Sequence, residues 1–306
     1  MLYGLLVGSQ GRHEMNFDDQ VVLVTGSSRG LGNAFARCLA AAGATVVVNS
    51  TGTSDLGSRV AEDICAAGGK AVHIAGQVQD AALLVANVVE ECGHIDGVVH
   101  NAGILHDKTL RKMTQGQWDA VLDIHLTASF RLAHAAWPHF EARGGGNLVL
   151  ITSASGLYGN FGQANYAAAK AGMVGLGRSI ALEGTRNNIR CNVVSPYGAT
   201  EMNSINMDED RKAIIKPEFI APLVGYLTHP DCKETGSLFE TSAGIYKKVR
   251  WERSRGLMLD TTQPLSIDDI ARGWDAIEDF SESDHPANMG EALGGMVAKA
   301  TTARQS

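Results

Sequence analysis

What most constrains this chain is a rhythm. Short runs of apolar, often β-branched residues recur along it, and a longer stretch of helical character follows most of them. The runs are Val21–Thr25, Thr45–Asn49, Ala71–Ala75, Gly97–His100, Asn147–Thr152, Arg190–Val194 and Leu238–Thr241. Helices are expected between them at Gly30–Ala42, Leu56–Ala67, Ala81–Cys92, Gln117–Glu141, Gln163–Glu183 and Pro217–Thr228. Val21-Val22-Leu23-Val24 is apolar at every position. A strand with one wet face would alternate, so such runs belong to parallel strands covered on both faces. Strand, helix and strand, repeated, give an α/β fold with a doubly wound parallel sheet. Ligands of such sheets bind beyond the carboxyl ends of the strands.

The 306 residues fit one large α/β domain or two small ones. With 44% hydrophobic and 19% charged residues, the composition is ordinary for a soluble globular protein. The rhythm stops near residue 251. Two further helices are expected, at Ser266–Asp279 and Asn288–Ala300, the first with Ser266 and Asp269 as a capping pair. No low-complexity linker sets them apart. The expected organisation is a poorly ordered extension over residues 1–16, a Rossmann-fold catalytic domain over 17–250, and a C-terminal helical extension over 251–306 packed on the same domain.

A formal net charge of −7 argues against nucleic acid as a partner, which calls for a basic face. The five cysteines are scattered and form no C-x-x-C pair, so neither a disulfide framework nor a thiolate metal site is expected. The ten histidines form no metal-binding pattern either. No apolar run approaches the roughly eighteen residues that span a bilayer. Met1–Val7 is apolar but too short, and has no basic flank, for a signal peptide. These features together point to the cytoplasm.

Thr25-Gly26-Ser27-Ser28-Arg29-Gly30-Leu31-Gly32 follows the first strand and opens the first helix. Gly26, Gly30 and Gly32 permit a tight turn and close approach of backbone to a pyrophosphate. The helix N-terminus offers free N–H groups and a partial positive charge. The spacing is G-x-x-x-G-x-G, distinct from the G-x-G-x-x-G dinucleotide fingerprint.

Tyr166 and Lys170 stand four residues apart in Tyr166-Ala167-Ala168-Ala169-Lys170, on one face of an expected helix. A free phenol has a pKa of about 10, too high for a base near neutrality. A nearby cation favours the phenolate, so Lys170 is suited to lower the pKa of Tyr166. The phenol then gives a proton to a carbonyl oxygen or takes one from an alcohol. Ser153, at the end of the fifth strand, offers a hydroxyl to orient the same oxygen.

These residues together resemble the short-chain dehydrogenase/reductase family, over about residues 18–245. The glycine loop, with Ser28, Arg29 and Leu31 inside it, matches the family's cofactor loop. Asn101-Ala102-Gly103 matches its N-A-G motif, which lines the nicotinamide side. Ser153, Tyr166 and Lys170 match its catalytic residues. Pro196 and Gly198 stand where a turn usually contacts the nicotinamide. His125 occupies the place of a usual catalytic Asn; otherwise it is a hydrogen-bonded helix residue. That departure, with Ala135-Ala136-Trp137-Pro138-His139, the segment Tyr158–Tyr166 and Val249-Arg250-Trp251-Glu252-Arg253, is similar to a narrower branch. It comprises the (3R)-hydroxyacyl-CoA dehydrogenase unit of peroxisomal multifunctional enzyme type 2 and stand-alone bacterial relatives.

NAD-using members carry an Asp at the end of the second strand, where it would repel a 2′-phosphate. Here Ser50 stands there, Gln77-Val78 replaces an Asp-Val pair that meets the adenine, and Arg29 lies in the glycine loop. With no acid set against a guanidinium, NADP(H) is favoured and NAD(H) is the alternative. The resemblance implies an acyl-CoA or similar thioester as substrate and a homo-oligomer built on the catalytic helix. Small residues there, Ala167, Ala168, Ala171, Gly172 and Gly175, suit either a partner helix or the chain's own sheet. The basic run Lys247–Arg255 suits CoA phosphates or a solvated charged face.

The function expected is hydride transfer between a nicotinamide and a 3-hydroxyacyl/3-oxoacyl thioester. One rival is a carbonyl reductase for a steroid or other ketone. A rival of another class is a nucleotide-binding subunit without catalysis; the loss of Ser153, Tyr166 or Lys170 would favour it, and all three are present.

Overall fold

The computed structural model describes residues 15–201 and 207–305. They fall into two compact units that divide after Lys248. Residues 1–14 of the expected N-terminal extension lie outside the described residues. Its last residue is tied down: the Asn16 carbonyl accepts from His229 Nε2 at 2.9 Å. Phe17 packs edge-on to the same imidazole, with centroids 4.7 Å apart.

In the first unit the chain alternates strand and helix. The strands are β1 (Val21–Val24), β2 (Thr45–Ser50), β3 (Lys70–Ala75), β4 (Gly97–His100), β5 (Gly146–Ile151), β6 (Ile189–Pro196), β7 (Leu238–Ser242) and β8 (Ile245–Val249). Between them run α1 (Gly30–Ala41), α2 (Leu56–Ala66), α3 (Ala81–Cys92), α4 (Gln115–Leu122), α5 (Ala128–Arg143), α6 (Ala154–Tyr158), α7 (Ala164–Gly184), α8 (Glu209–Ile214) and α9 (Ala221–Thr228). Among the described residues the sheet has eight strands in the order β3-β2-β1-β4-β5-β6-β7-β8. Every pairing from β1 to β7 is parallel. The strand order reverses between β1 and β4, and a ligand crevice forms at such a switch point.

The apolar runs behave as their composition requires. Val22, Val24, Val46, Val48, Val99, Val149 and Ile151 pack on one face with Phe35 and Leu39 of α1 and Val224 and Leu227 of α9. On the other face α5 meets β4 and β5, and α7 meets β6. Leu23, Val47, Val98, Leu148 and Leu150, the alternate residues of the same strands, are fully buried as well.

Two features depart from the sequence expectation. β8 is an extra strand taken from the basic run. Its two-residue link Ala243-Gly244, with φ of 52° and 75°, is a hairpin turn, so it runs antiparallel to β7. It is an exposed edge with Lys247 and Lys248 on it, a composition that blunts sheet edges and hides the strand from an apolar-run reading. The single helix expected at Gln117–Glu141 is broken by a π-helical turn, Asp123–Thr127, between α4 and α5. A capping box of Thr114 and Gln117 starts α4. The π-turn inserts one residue into the helical ladder and carries His125 to a buried position.

The second unit contains β9 (Arg253–Ser254), α10 (Ile267–Arg272), α11 (Trp274–Ile277), β10 (Ser283–Asp284) and α12 (Met289–Gln305). β9 pairs antiparallel with β10. Arg253 forks onto the Asp284 carboxylate, Nε to Oδ1 at 2.7 Å and Nη2 to Oδ2 at 2.8 Å. Ser266 and Asp269 form the capping box expected for α10. The helix expected through Asp279 is interrupted at Gly273, where a Cβ would lie 2.4 Å from Leu257 Cδ2. No helix among the described residues is long and apolar enough to cross a membrane.

Candidate active site

The turn from β1 into α1 is built for close backbone contact. Gly26 and Gly30 have φ of +62° and +57°, a region that favours glycine. A Cβ on Gly32 would lie 2.4 Å from the Gly26 carbonyl oxygen and 2.6 Å from Asn101 Nδ2. Arg29 is the N-cap of α1 in extended conformation, with no side-chain cap and no acid in the first turn. The first N–H groups of α1 are therefore left for an anionic ligand.

The N-A-G segment locks onto this turn. Asn101 Nδ2 donates to the Thr25 and Gly26 carbonyls at 3.2 and 3.1 Å. The Thr25 hydroxyl accepts from the N–H groups of Asn101 and Ala102 at 3.0 and 3.1 Å. Both lone pairs are then used, so its proton goes to His100 Nδ1, 3.0 Å away. His100 Nε2 donates in turn to the Ile124 carbonyl in the π-turn, at 3.1 Å. Burial and the nearby Lys170 push the pKa of His100 down to about 4, so it stays neutral. His100 thus links the glycine loop, the N-A-G segment and the π-turn. The sequence reading missed that role; its signal is a polar residue ending an apolar strand.

Gly26, Ser28, Arg29, Gly30, Leu31, Ser50, Val78, Asn101, Ala102, Gly103, His125, Ser153, Tyr166, Lys170, Pro196 and Gly198 line one cleft of about 880 Å³. Of the residues proposed from sequence, only Gly32 lies behind its wall. The volume is of the size ligand pockets take. The glycine turn and the uncapped α1 N-terminus fit a pyrophosphate at one end of this cleft, and the phenol of Tyr166 stands toward the other.

At that end α7 sets Tyr166 and Lys170. Asn165, fully buried, accepts from the Tyr166 N–H at 2.8 Å and donates to the His106 and Gln117 carbonyls. The Thr152 hydroxyl donates to the Lys170 carbonyl at 2.6 Å. A Cβ on Gly156 would lie 2.7 Å from Lys170, so α6 and α7 touch backbone to backbone. Gly172 serves the chain's own packing: a Cβ there would lie 2.8 Å from Leu126. Ser153 is the N-cap of α6; its hydroxyl accepts from the Ser155 N–H at 3.2 Å and acts on the Tyr166 phenol to lower its pKa. Lys170 is 3% exposed; its Nζ lies 5.5 Å from the Tyr166 ring centroid and donates to the Ile151 carbonyl at 2.5 Å.

The electrostatics correct one expectation. Lys170 does not lower the pKa of Tyr166 in this arrangement. Burial raises the phenol, the Ser153 hydrogen bond lowers it, and the charge of Asp107 raises it. The reason lies in the lysine, whose own pKa burial pushes down to about 7. Asp107 was not singled out from sequence. It accepts from Gln163 Nε2 at 2.8 Å, and Ser155 donates to Gln163 Oε1, also at 2.8 Å.

His125 Nε2 lies 2.9 Å from the Ile104 carbonyl oxygen and 3.2 Å from its nitrogen. Its Nδ1 is buried without a partner. Burial first, then Lys170, holds its pKa well below the usual histidine value. The ring occupies the space above Gly103, where a Cβ would lie 2.2 Å from His125 Cε1.

At the adenosine end, the expectation that no acid opposes Arg29 fails. Glu201 accepts from Arg29 Nη1 at 2.7 Å, both side chains being exposed. The basic run is also partly spent, since Lys248 pairs with Glu234 at 2.8 Å and Arg253 with Asp284.

A family model for short chain dehydrogenases matches residues 20–211. The chain belongs to the short-chain dehydrogenase/reductase family. As such it is an oxidoreductase acting on CH–OH groups with a nicotinamide cofactor. It is 41% identical over 292 residues to the peroxisomal multifunctional enzyme type 2 of Mus musculus, covering 92% of this chain and 40% of that protein. It thus spans less than half the length of that relative. It is 40% identical over 274 residues to a short-chain type dehydrogenase/reductase of Mycobacterium tuberculosis, covering 86% of this chain and 95% of that one. Among solved structures, full-length peroxisomal multifunctional enzyme type 2 from Drosophila melanogaster matches with a TM-score of 0.83 and 35% identity. That match covers 94% of this chain and 50% of that one.

Proposed function

We propose that this short-chain dehydrogenase/reductase interconverts (3R)-3-hydroxyacyl and 3-oxoacyl thioesters, with CoA as the thiol. The observation that carries the chemistry is Tyr166, with Lys170 beside its ring and Ser153 lining the same cleft, which the glycine turn also lines. Similarity to the multifunctional enzymes across 92% of this chain supports the thioester.

Asn101–Gly103 and Pro196–Gly198 would hold a nicotinamide, which when bound would supply or accept the hydride. In reduction Tyr166 gives its proton to the carbonyl oxygen; in oxidation it takes the hydroxyl proton. Ser153 orients that oxygen from the side of the phenol. Lys170, with a pKa of about 7, exchanges protons near neutrality beside the phenol. His125 is neutral and engaged with Ile104, so it positions the loop after β4 and the phenol instead of moving a proton.

NADP(H) is the cofactor we favour over NAD(H). No carboxylate from the end of β2 lines the cleft; Ser50, Thr51, Thr53 and Ser54 bring hydroxyls there. The Arg29–Glu201 pair is exposed, and such pairs hold by only about 1 kcal/mol or less, so a 2′-phosphate can compete for the guanidinium.

The test is an absorbance assay of nicotinamide oxidation. Acetoacetyl-CoA, longer 3-oxoacyl-CoAs, simple ketones and a ketosteroid are each offered with NADPH and NADH. Turnover of the CoA thioesters is expected. Turnover of the ketones alone would overturn the thioester assignment, and cofactor binding without turnover of any substrate would mark a subunit without catalysis.

A further inference from the structure

The end of β2 carries a second layer. Ser50 lines the cleft, and behind it, on β3, stands His73. His73 Nε2 lies 2.9 Å from Ser50 Oγ, and Nδ1 lies 3.0 Å from Ser58 Oγ on α2. A Cβ on Gly57 would lie 2.3 Å from His73 Nε2 and 2.8 Å from Ser50 Oγ, so α2 closes on this pair through a glycine. The neighbouring Asn49 is not available to a ligand in the same way: its amide donates to the Ile74 and Gly76 carbonyls at 3.1 and 3.0 Å. Ser50 is therefore the polar side chain that the last residue of β2 turns to the cleft.

Burial lowers the pKa of His73, so the ring is neutral near pH 7. A neutral imidazole has one N–H donor and one acceptor, and a hydroxyl can serve as either. Two hydrogen-bond arrangements therefore satisfy the same atoms. In one, Ser58 donates to Nδ1 and Nε2–H donates to Ser50, whose own proton is left to point into the cleft. In the other, Nδ1–H donates to Ser58 and Ser50 donates to Nε2, which leaves lone pairs of Ser50 facing the cleft. A phosphate offers acceptor oxygens and requires the first. A ribose 2′-hydroxyl, both donor and acceptor, is served by either. In doubly wound dinucleotide folds, the residue about twenty positions past the glycine turn meets the 2′ position of that ribose. Ser50 stands at that distance from Gly30.

We propose that His73 is a positioning residue for cofactor choice: through its tautomer it sets whether Ser50 has a proton free to donate to a 2′-phosphate. This rests on the NADP(H) reading above. A hydroxyl so placed can donate, where a carboxylate would be fixed as an acceptor.

Dissociation constants for NADPH and NADH, measured by fluorescence titration of the full chain, test it. The wild type, His73→Phe, His73→Gln, Ser50→Ala and the Ser50→Ala/His73→Phe double variant are compared. Wild type is expected to bind NADPH more tightly. His73→Phe should cut that preference about three- to tenfold, the size of one neutral hydrogen bond. His73→Gln, which keeps a donor, should retain most of it. In the Ser50→Ala background His73→Phe should change nothing further. An unchanged preference in His73→Phe, or the same fall without Ser50, overturns the inference. Should the Phe variant not fold, ring nitrogen NMR of the wild type decides: Nε2–H with NADPH is expected, and Nδ1–H with NADPH overturns it. Equal wild-type dissociation constants would instead overturn the NADP(H) reading itself.

Discussion

The imidazole of His125 stands edge-on to the phenol of Tyr166, with centroids 5.1 Å apart and planes at 87°. The same imidazole bonds to Ile104 and fills the space over Gly103. One side chain from a π-turn thus braces both the loop after β4 and the phenol of the proposed acid/base residue. Aromatic edge contacts contribute about 0.5–1.5 kcal/mol beyond their buried area. His125→Asn, which restores the usual family residue, should therefore cost about 1–2 kcal/mol in urea unfolding and lower kcat. It should leave the limbs of the pH–rate profile where they are, because the wild-type ring is already neutral. A limb that disappears with the substitution would show that His125 titrates in catalysis.

Asp107 and Ser153 act on Tyr166 with opposite sign. Oxidation of the alcohol needs the phenolate, so its rate rises with pH through the pKa of Tyr166. Asp107→Asn removes a charge that raises this pKa, and should shift that limb to lower pH. Ser153→Ala removes a hydrogen bond that lowers it, and should shift the limb to higher pH with a fall in kcat. Profiles of kcat/KM from about pH 7 to 11 check both, and shifts in the same direction would contradict the arrangement.

Lys170 carries a stability signature. Its folded pKa of about 7 lies below the unfolded value of about 10.4. Between these values the unfolded chain binds more protons, so stability rises with pH there. The penalty for burying the amine is full below about pH 7 and is lost by about pH 10. Lys170→Met, similar in length, should lack that slope. The unfolding free energy of the wild type relative to the variant should climb between the two pH values. A flat difference would mean that Lys170 is not desolvated.

Glu201 competes for Arg29. Glu201→Gln should tighten NADPH binding up to about fivefold, the range of an exposed ion pair, and leave NADH binding unchanged. An equal gain for both cofactors would remove Arg29 from the 2′-phosphate site.

Much of this was legible in the sequence, for physical reasons. Strands such as Val21–Val24 and Gly97–His100 are buried on both faces, and that burial writes itself as unbroken apolar runs. Tyr166 and Lys170 are a local pair, since a helix brings every fourth residue to one face. What stayed hidden is either compositionally silent or joined across the chain. The π-turn at Asp123–Thr127 uses ordinary helix residues. β8 has no apolar run because it is an exposed edge. Arg29 meets Glu201 across 172 positions, and Thr25 meets His100 across 75. Such pairings leave no periodic trace. The rise in the Tyr166 pKa was equally invisible, because it follows from how deeply the phenol and Lys170 are buried together.

Tyr166 moves the proton while the rest of the cleft holds the cofactor. Tyr166→Phe removes one hydroxyl and keeps the ring against His125. Steady-state turnover of a 3-oxoacyl-CoA and titration of NADPH binding on the same preparation test it. The expected result is a fall in kcat of about a hundredfold or more, the scale of positioned acid/base catalysis, with the NADPH dissociation constant within about twofold of wild type. A variant that turns over at the wild-type rate would contradict it.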